Sequence, residues 1–493
     1  MPLLSSRLIV KRNYTGYNER MKALLLLFLF LSFPLYAAEF YVSPTGSDRT
    51  GAGTADKPWA TLGAAVRSVP DDGSTLILKD GVYAGFQMWS RRFEKGLIIK
   101  AEHPYHARLT SRKGTNRVLY LEKLSKVIFD GLEFFGNGGT EGDYLIQLGA
   151  KDVHHLVFQN CIIHDSYKND LIKINNGTHH IRFTNCVFFN PNNHGGDEHF
   201  DINSVQDIAV EESIFFNDYP GSGRQDINQS HSFIVIKNSG AKEAVTRNIA
   251  LSRNVFLNWA GLSDQAFILL GEDGRPFFEA SNVLIENNLL LHHSAPRIVA
   301  AFLFKGGIHN VMVRANTVSG VPNGGAEGAF SAYSAVFQRI GENPPQENVM
   351  FANNIFSNNA GTMRRFSAGK KECFKENSFT AVNNIYWNGG KEIPAAPEDI
   401  FVPQNDPKKI LKSPELPDVP KEMVLPRFDS AKKAFPSGNT TIRQEFESLV
   451  NRFAVPAQNS AAVDRADAAL MPQDDILGRN RGEKPDAGCC ERP

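Results

Sequence analysis

The sequence predicts an all-β fold, a right-handed parallel β-helix with an N-terminal helical cap and an irregular C-terminal segment, on three observations. The first is a repeat. VIFDGLEFF from Val127 is followed by LVFQNCIIH from Leu156, IRFTNCVFF from Ile181, IAVEESIFF from Ile208 and IALSRNVFL from Ile249. VLIENNLLL from Val283, VMVRANTVS from Val311 and VMFANNIFS from Val349 complete the series. The second is alternation: apolar residues hold the first and third places of each copy, as a strand requires. The third is a shared turn position. Asn160, Asn185, Asn287 and Asn353 occupy one place, where asparagine tolerates the left-handed backbone of a tight turn. A second, less regular strand follows in DLIKIN, HFDIN, SFIVIKN, AFILLG and AAFLFKG. Successive copies start 29, 25, 27, 41, 34, 28 and 38 residues apart, so variable loops project from a core that stays in register. Repeats of this fidelity disfavour the competing architecture, a two-sheet sandwich.

Taken in order, residues 1–38 read as an upstream extension and a signal peptide. MKALLLLFLFLSFPLYAAEF, from Met21, has a lysine, an apolar run from Ala23 to Phe33 and small residues at Ala37 and Ala38, the layout of a cleavable export signal. The run is short for a membrane span. The expected product is secreted or periplasmic, with translation starting at Met1 or Met21. Residues 39–390 form the β-helix domain. It opens with a short strand, a glycine-rich loop and a helix predicted from Ala60 to Ser68, suited to covering the first coil of an open solenoid. The strand STLILKDG follows. Residues 391–493 are proline-rich and are expected to lie irregularly along the solenoid, with a closing segment.

Composition narrows the function. Acidic and basic residues balance at 53 each across 493 residues, so no global field recruits nucleic acid or an anionic membrane. Recognition of a charged polymer must be local, and a monomer is expected. Five cysteines are too few for a disulfide scaffold in an exported chain. Cys161 and Cys186 fall at equivalent places of adjacent repeats, about 4.8 Å apart on stacked strands. Parallel side chains seldom reach the disulfide torsion, so buried thiols are expected. The 35 phenylalanines read as stacked core.

The chemistry-bearing feature is GGDEHFDIN, which packs Asp197, Glu198 and Asp201 into five positions. Aligned second strands set Asp170 on the preceding coil and Lys237 on the following one. Carboxylates at this density repel one another unless a cation sits among them, and a hard cation such as Ca2+ takes six to eight oxygen ligands. The metal set is therefore Asp170, Asp197, Glu198 and Asp201. The bland alternative is a solvated loop, with Asp201 accepting backbone hydrogen bonds and Lys237 on a solvated sheet face.

Here the sequence resembles the extracellular pectate lyases of polysaccharide lyase family 9, right-handed β-helices with an aspartate calcium site. Their pattern is an aspartate on one coil, Asp-Asp-X-X-Asp on the next and a lysine on the one after. This chain offers Asp170, then Asp197-Glu198-His199-Phe200-Asp201, then Lys237 in FIVIKNSG. The opening YVSPTGSDRTGAGTADKPWATL is also similar, and the resemblance covers roughly residues 40 to 390. It departs at Glu198, where the family has aspartate, and at Asp170, since Lys173 lies nearer the coil offset. The resemblance implies β-elimination on an acidic polysaccharide. Calcium would neutralise charge gathering on a uronate carboxylate while Lys237 takes the adjacent proton. Arg224, in the long insertion DYPGSGRQDINQSHS, and Lys305 are candidate substrate clamps.

Alternatives stay open. Asp197, Glu198 and Asp201 can be recast as the carboxylates of a β-helix hydrolase or uronan epimerase, or the groove can bind polysaccharide without turning it over. His194 and His199 flank the acidic stretch as secondary ligands, proton donors or loop residues. His154–His155 and His179–His180 occupy equivalent turns as a polar ladder without carboxylate or thiolate company for zinc. Glu272 and Asp273 in GEDG are a further cation site or a turn.

Overall fold

The computed structural model describes residues 38–493 apart from 151, 193–195, 225–230, 241–245, 258–265, 293–298, 322–332 and 421. The export signal and His194 fall outside the described residues. The chain is a right-handed parallel β-helix in which the strands form parallel ladders along the solenoid. The first ladder stacks the repeats in the register the sequence predicts. Val127 pairs with Leu156, Leu156 with Ile181, Ile181 with Ile208, Ile208 with Ile249, Ile249 with Val283, Val283 with Val311 and Val311 with Val349. It continues at both ends beyond the copies read from sequence, through Leu97 to Thr75–Leu78 and Glu39–Val42 below and to Phe379 above. The second ladder takes the short strands after the turn, from Gly81–Ala84 to Ile385–Trp387. The third takes the less regular strands, among them Ile172–Ile174, Phe200–Asn203, Ile234–Lys237, Ala266–Leu270 and Ala300–Phe304.

The fifth residue of every copy is left-handed. Gly131, Asn160, Asn185, Glu212, Arg253, Asn287, Ala315 and Asn353 have φ from 51° to 70°. Asparagine is thus the favoured solution to a backbone demand that every coil makes, and Ala315 meets the demand without a polar side chain. The sixth residue points inward. Asn254, Asn288, Asn316, Asn354 and Asn384 form a buried amide ladder, each accepting from the backbone N–H of the coil before, and Asp406 closes it. Cys161, Cys186 and Ser213 hold the same column lower down, and both cysteines are buried free thiols. Phenylalanines stack beside them: Phe129 on Phe158 at 4.6 Å and Phe158 on Phe183 at 4.7 Å.

The helical cap runs Leu62–Ser68, two residues shorter at its start than expected. Thr61 caps it, accepting from Ala64 N, and the Asp48 carboxylate accepts from Ala60 N and Thr61 N, so residue 60 belongs to the lead-in turn. Its buried face, Leu62, Ala65 and Val66, joins the main core. The C-terminal part carries a second helix, Ile442–Phe453, that the proline-rich composition had hidden. Thr441 and Gln444 form a capping box at its start. Ile442, Phe446, Leu449, Val450 and Phe453 pack with Val187, Phe189, Ile214 and Phe216 from the outer face of the second ladder.

Candidate active site

The site follows from strand register and side-chain parity. Lys173 pairs with Asp201 across the third ladder, and Asn203 pairs with Lys237, so Lys173, Asp201 and Lys237 lie on one face of the sheet. Just before these strands the same ladder continues. Leu171 N donates to Glu198 O at 3.0 Å, and Glu198 N donates to Asp170 Oδ1 at 2.9 Å. Asp170 therefore sits opposite Glu198, closer in register than the sequence offset implied.

Asp170, Glu198 and Asp201 are all buried, and they bring carboxylate oxygens within 4.8 Å of one another. Lys173 forms an ion pair with Asp201 Oδ2, and its ammonium stands 5.3 Å from the ring centre of Tyr144. Lys237 Nζ lies 3.4 Å from Asp201 Oδ2 and 2.7 Å from Glu272 Oε2. His231 Nδ1 lies 3.0 Å from Glu198 Oε1, and its Nε2 lies 3.5 Å from Glu272 Oε1. Charges thus alternate from Lys173 through Asp201 and Lys237 to Glu272.

Positive charge is nevertheless short. Burial, then the neighbouring Glu198 charge, pushes Asp170 well above the usual carboxylate range. Burial also pushes Glu198 up to about 8. Burial alone would lower Lys237, yet the Asp201, Glu198 and Glu272 carboxylates outweigh it and hold the ammonium protonated. Burial pushes His231 down to about 4, so it is neutral at ordinary pH. Buried carboxylates in this state take up either protons or a cation. Asp201 Oδ1 is buried and without a hydrogen-bond partner among the described residues. Three converging carboxylates with an unengaged oxygen fit the oxygen-donor set of a calcium ion.

Other predicted residues fall elsewhere. Asp197 is not among the three carboxylates that converge, and its Oδ2 accepts from Asn192 Nδ2 at 2.6 Å. Arg224 is only 6% exposed and is turned into the structure rather than the groove. Its Nη1 donates to Ser166 O at 2.9 Å, and its guanidinium is sandwiched by the rings of Tyr167 and Tyr219 at 4.5 and 4.7 Å. That geometry leaves it holding the long insertion, not clamping a substrate. Lys305 is half-buried, one coil past Gly271, and its charge reaches His231 and Glu272. His199 is a core residue: its Nε2 donates to Phe216 O at 3.0 Å, and burial lowers it to about 3. GEDG is a turn that also serves the site. The backbone N–H groups of Glu272, Asp273 and Gly274 converge on the buried Glu279 carboxylate at 2.7, 2.8 and 2.7 Å, which aims Glu272 at Lys237. Lys173 and His231 were missed as site members. Shared strand parity with Asp201 was a usable signal for Lys173; His231 ends the long insertion, whose return path no periodicity encodes.

No family profile and no curated protein matches the sequence. Among solved structures the chain is similar to the GH136 lacto-N-biosidase from Eubacterium ramulus, with TM-score 0.50 and 12% identity over 76% of this chain and 66% of that one. A rhamnogalacturonan lyase gives TM-score 0.47 and 13% identity over 73% of this chain and 90% of that one. Pectate lyase Pel9A gives 0.45 and 13% over 94% and 98%. Such likeness bears on fold alone. Fold and site together define a parallel β-helix protein with a buried carboxylate–lysine cluster on its third ladder.

Proposed function

We propose that the protein is an exported, calcium-dependent polysaccharide lyase that cleaves a pectate-like, uronic-acid-containing polysaccharide by β-elimination. One observation carries this reading: three buried carboxylates on two coils, Asp170, Glu198 and Asp201, beside the ammonium of Lys237 on the next coil. Asp170, Glu198 and Asp201 would hold the ion. Bound there, calcium supplies neutralising charge for the substrate carboxylate, whose negative charge grows as the adjacent proton leaves. Lys237 Nζ accepts that proton at the sugar C5. It must first lose its own, which becomes easier once the Asp201 charge that holds it is engaged elsewhere. Glu272 positions Lys237 from the far side, and Lys305 adds positive charge for an anionic chain.

The test is ultraviolet absorbance of unsaturated uronides, with mature protein on a panel of uronans, in calcium and in chelator. A calcium-dependent rise is expected, reduced at least about 100-fold in Lys237→Ala. Folded protein that yields no unsaturated product on any uronan sinks the elimination reading. A hydrolase is the second reading, favoured by the proton that Glu198 retains up to about 8, the state of a general acid. New reducing ends without unsaturation would select it.

A further inference from the structure

A second set of metal-ligating side chains lies at the turn leading into the first ladder. The residue just before the repeat start is left-handed on successive coils: Lys126, His155, His180, Asp207, Asn248, Asn282, Asn310 and Asn348, with φ from 53° to 60°. From Asn348 down, this edge is an amide ladder. Asn348 Nδ2 donates to Asn310 Oδ1 at 3.0 Å, Asn310 to Asn282 at 3.0 Å, Asn282 to Asn248 at 3.1 Å and Asn248 to Asp207 Oδ1 at 2.9 Å. The ladder ends on a carboxylate whose other oxygen, Oδ2, faces His180 Nδ1 at 3.6 Å.

Below Asp207 the amides give way to imidazoles. His180 stacks on His155 at 4.5 Å and His179 on His154 at 5.0 Å, with ring planes 9° and 6° apart. Imidazoles stacked face to face cannot hydrogen-bond along the solenoid axis, as asparagines do. They turn instead to the neighbour in the same coil. The Nδ1 atoms of His154 and His155 are 2.8 Å apart, and those of His179 and His180 are 2.7 Å apart. Nitrogen atoms of His155, His179 and His180 come within 4.8 Å of one another, and His155 is exposed. Asp152 Oδ1 stands 3.7 Å from His154 Nε2, so the fold supplies the carboxylate company that the sequence spacing lacked. Two cations lie nearby, and both are engaged: Lys126 is turned to Glu94, with Nζ 3.0 Å from its carbonyl and 3.2 Å from Oε2, and Arg92 is ion-paired with Asp152.

We propose that His155, His179 and His180 form a site for a borderline divalent transition metal such as Zn2+, with the Asp207 carboxylate beside His180 orienting that imidazole. Three imidazoles match the nitrogen preference of that ion, and the exposed side at His155 leaves a fourth position to water. Nitrogen donors also separate this site from the oxygen-only cluster around Asp201, which suits a hard cation.

The test is titration of untagged, chelator-stripped full-length protein with Co2+, read by its ligand-field absorption, followed by Zn2+ displacement. One Co2+ per chain is expected, displaced by equimolar Zn2+ and unaffected by excess Ca2+. Affinity should fall at least about 100-fold in His155→Asn/His180→Asn, which continues the asparagine ladder of the neighbouring coils and so keeps the fold. Asp201→Asn should bind Co2+ as the wild type does. The proposal is overturned if folded protein binds no stoichiometric Co2+, if the double variant binds equally well, or if Asp201→Asn is the variant that loses it.

Discussion

At Lys237 burial and charge pull in opposite directions, and charge wins because three carboxylates surround one ammonium. A guanidinium in its place would stay protonated under any condition, so Lys237→Arg is expected to be as inactive as Lys237→Ala although it keeps the charge. Turnover by Lys237→Arg within tenfold of wild type would remove Lys237 from the role of base. His164 makes a separate prediction, away from this site. It lies 2.7 Å from Asp165 Oδ2 and 3.1 Å from Glu133 Oε1. Burial lowers its pKa, but both carboxylates outweigh burial and raise it above 6.5. Burial likewise works against Asp165, whose His164 contact holds it down at about 2, from 3.8. A raised histidine stabilises fully below 6.5 and loses that contribution as pH climbs through its folded value. A lowered aspartate stabilises above 3.8 and loses that contribution as pH falls towards 2. The cluster therefore stabilises most between about 4 and about 6.5, by roughly 2 kcal/mol for the aspartate alone. Thermal melts of His164→Gln should fall furthest below wild type near pH 5, and the gap should narrow as pH climbs through the histidine's raised folded value. A deficit independent of pH would mean that packing against Phe135 and Phe189, not charge, is what His164 supplies.

Along a single ladder the repeat unit carries two asparagines with opposite duties. The outer one solves a backbone conformation; the inner one satisfies carbonyls and amides in the core. Asn316 Nδ2 donates to Ile285 O at 2.9 Å and to Asn354 Oδ1 at 3.0 Å, while its Oδ1 accepts from Asn288 N at 3.0 Å. Removing it strands a buried carbonyl and a buried amide, so Asn316→Ala should cost roughly 2–4 kcal/mol in urea unfolding. Substituting the exposed Asn348, one link of the separate amide ladder at the turn before the repeat, should cost well under half as much. Equal costs would mean that the interior column is filled with water rather than closed by amides. Only the outer asparagine was legible in the sequence, because a left-handed turn has a known residue preference whereas a period alone does not say which of two adjacent polar residues turns inward. The same limit applied to the site. Aligned second strands put Asp201 and Lys237 on adjacent coils, but neither the burial of Arg224 nor the approach of His231 follows from spacing, since both ride on the long insertion.

Across the whole molecule, the solenoid does not finish where its repeats do. Phe401 joins the main core, and Asp406 accepts from Asn384 N at 2.9 Å and Tyr386 Oη at 3.0 Å, closing the amide ladder beyond the predicted boundary at residue 390. A closing segment is expected from the sequence within residues 391–493, but its place is not legible there, because the closing residues sit among prolines. The later segment does a different job: its helix covers Val187, Phe189, Ile214, Phe216, Val255 and Leu257, an outward apolar stripe on the second ladder. The two roles separate on truncation. A chain ending at residue 390 loses Phe401 and Asp406, leaving the Asn384 amide and the Tyr386 hydroxyl without their buried acceptor, and should fail to fold cooperatively. A chain ending at residue 412 retains both and should keep its β-sheet circular dichroism, while the uncovered stripe drives self-association on size exclusion. If the longer fragment stays monomeric, the C-terminal helix is dispensable cover. If the shorter one unfolds cooperatively near the wild-type midpoint, Asp406 is not the closing residue of the solenoid.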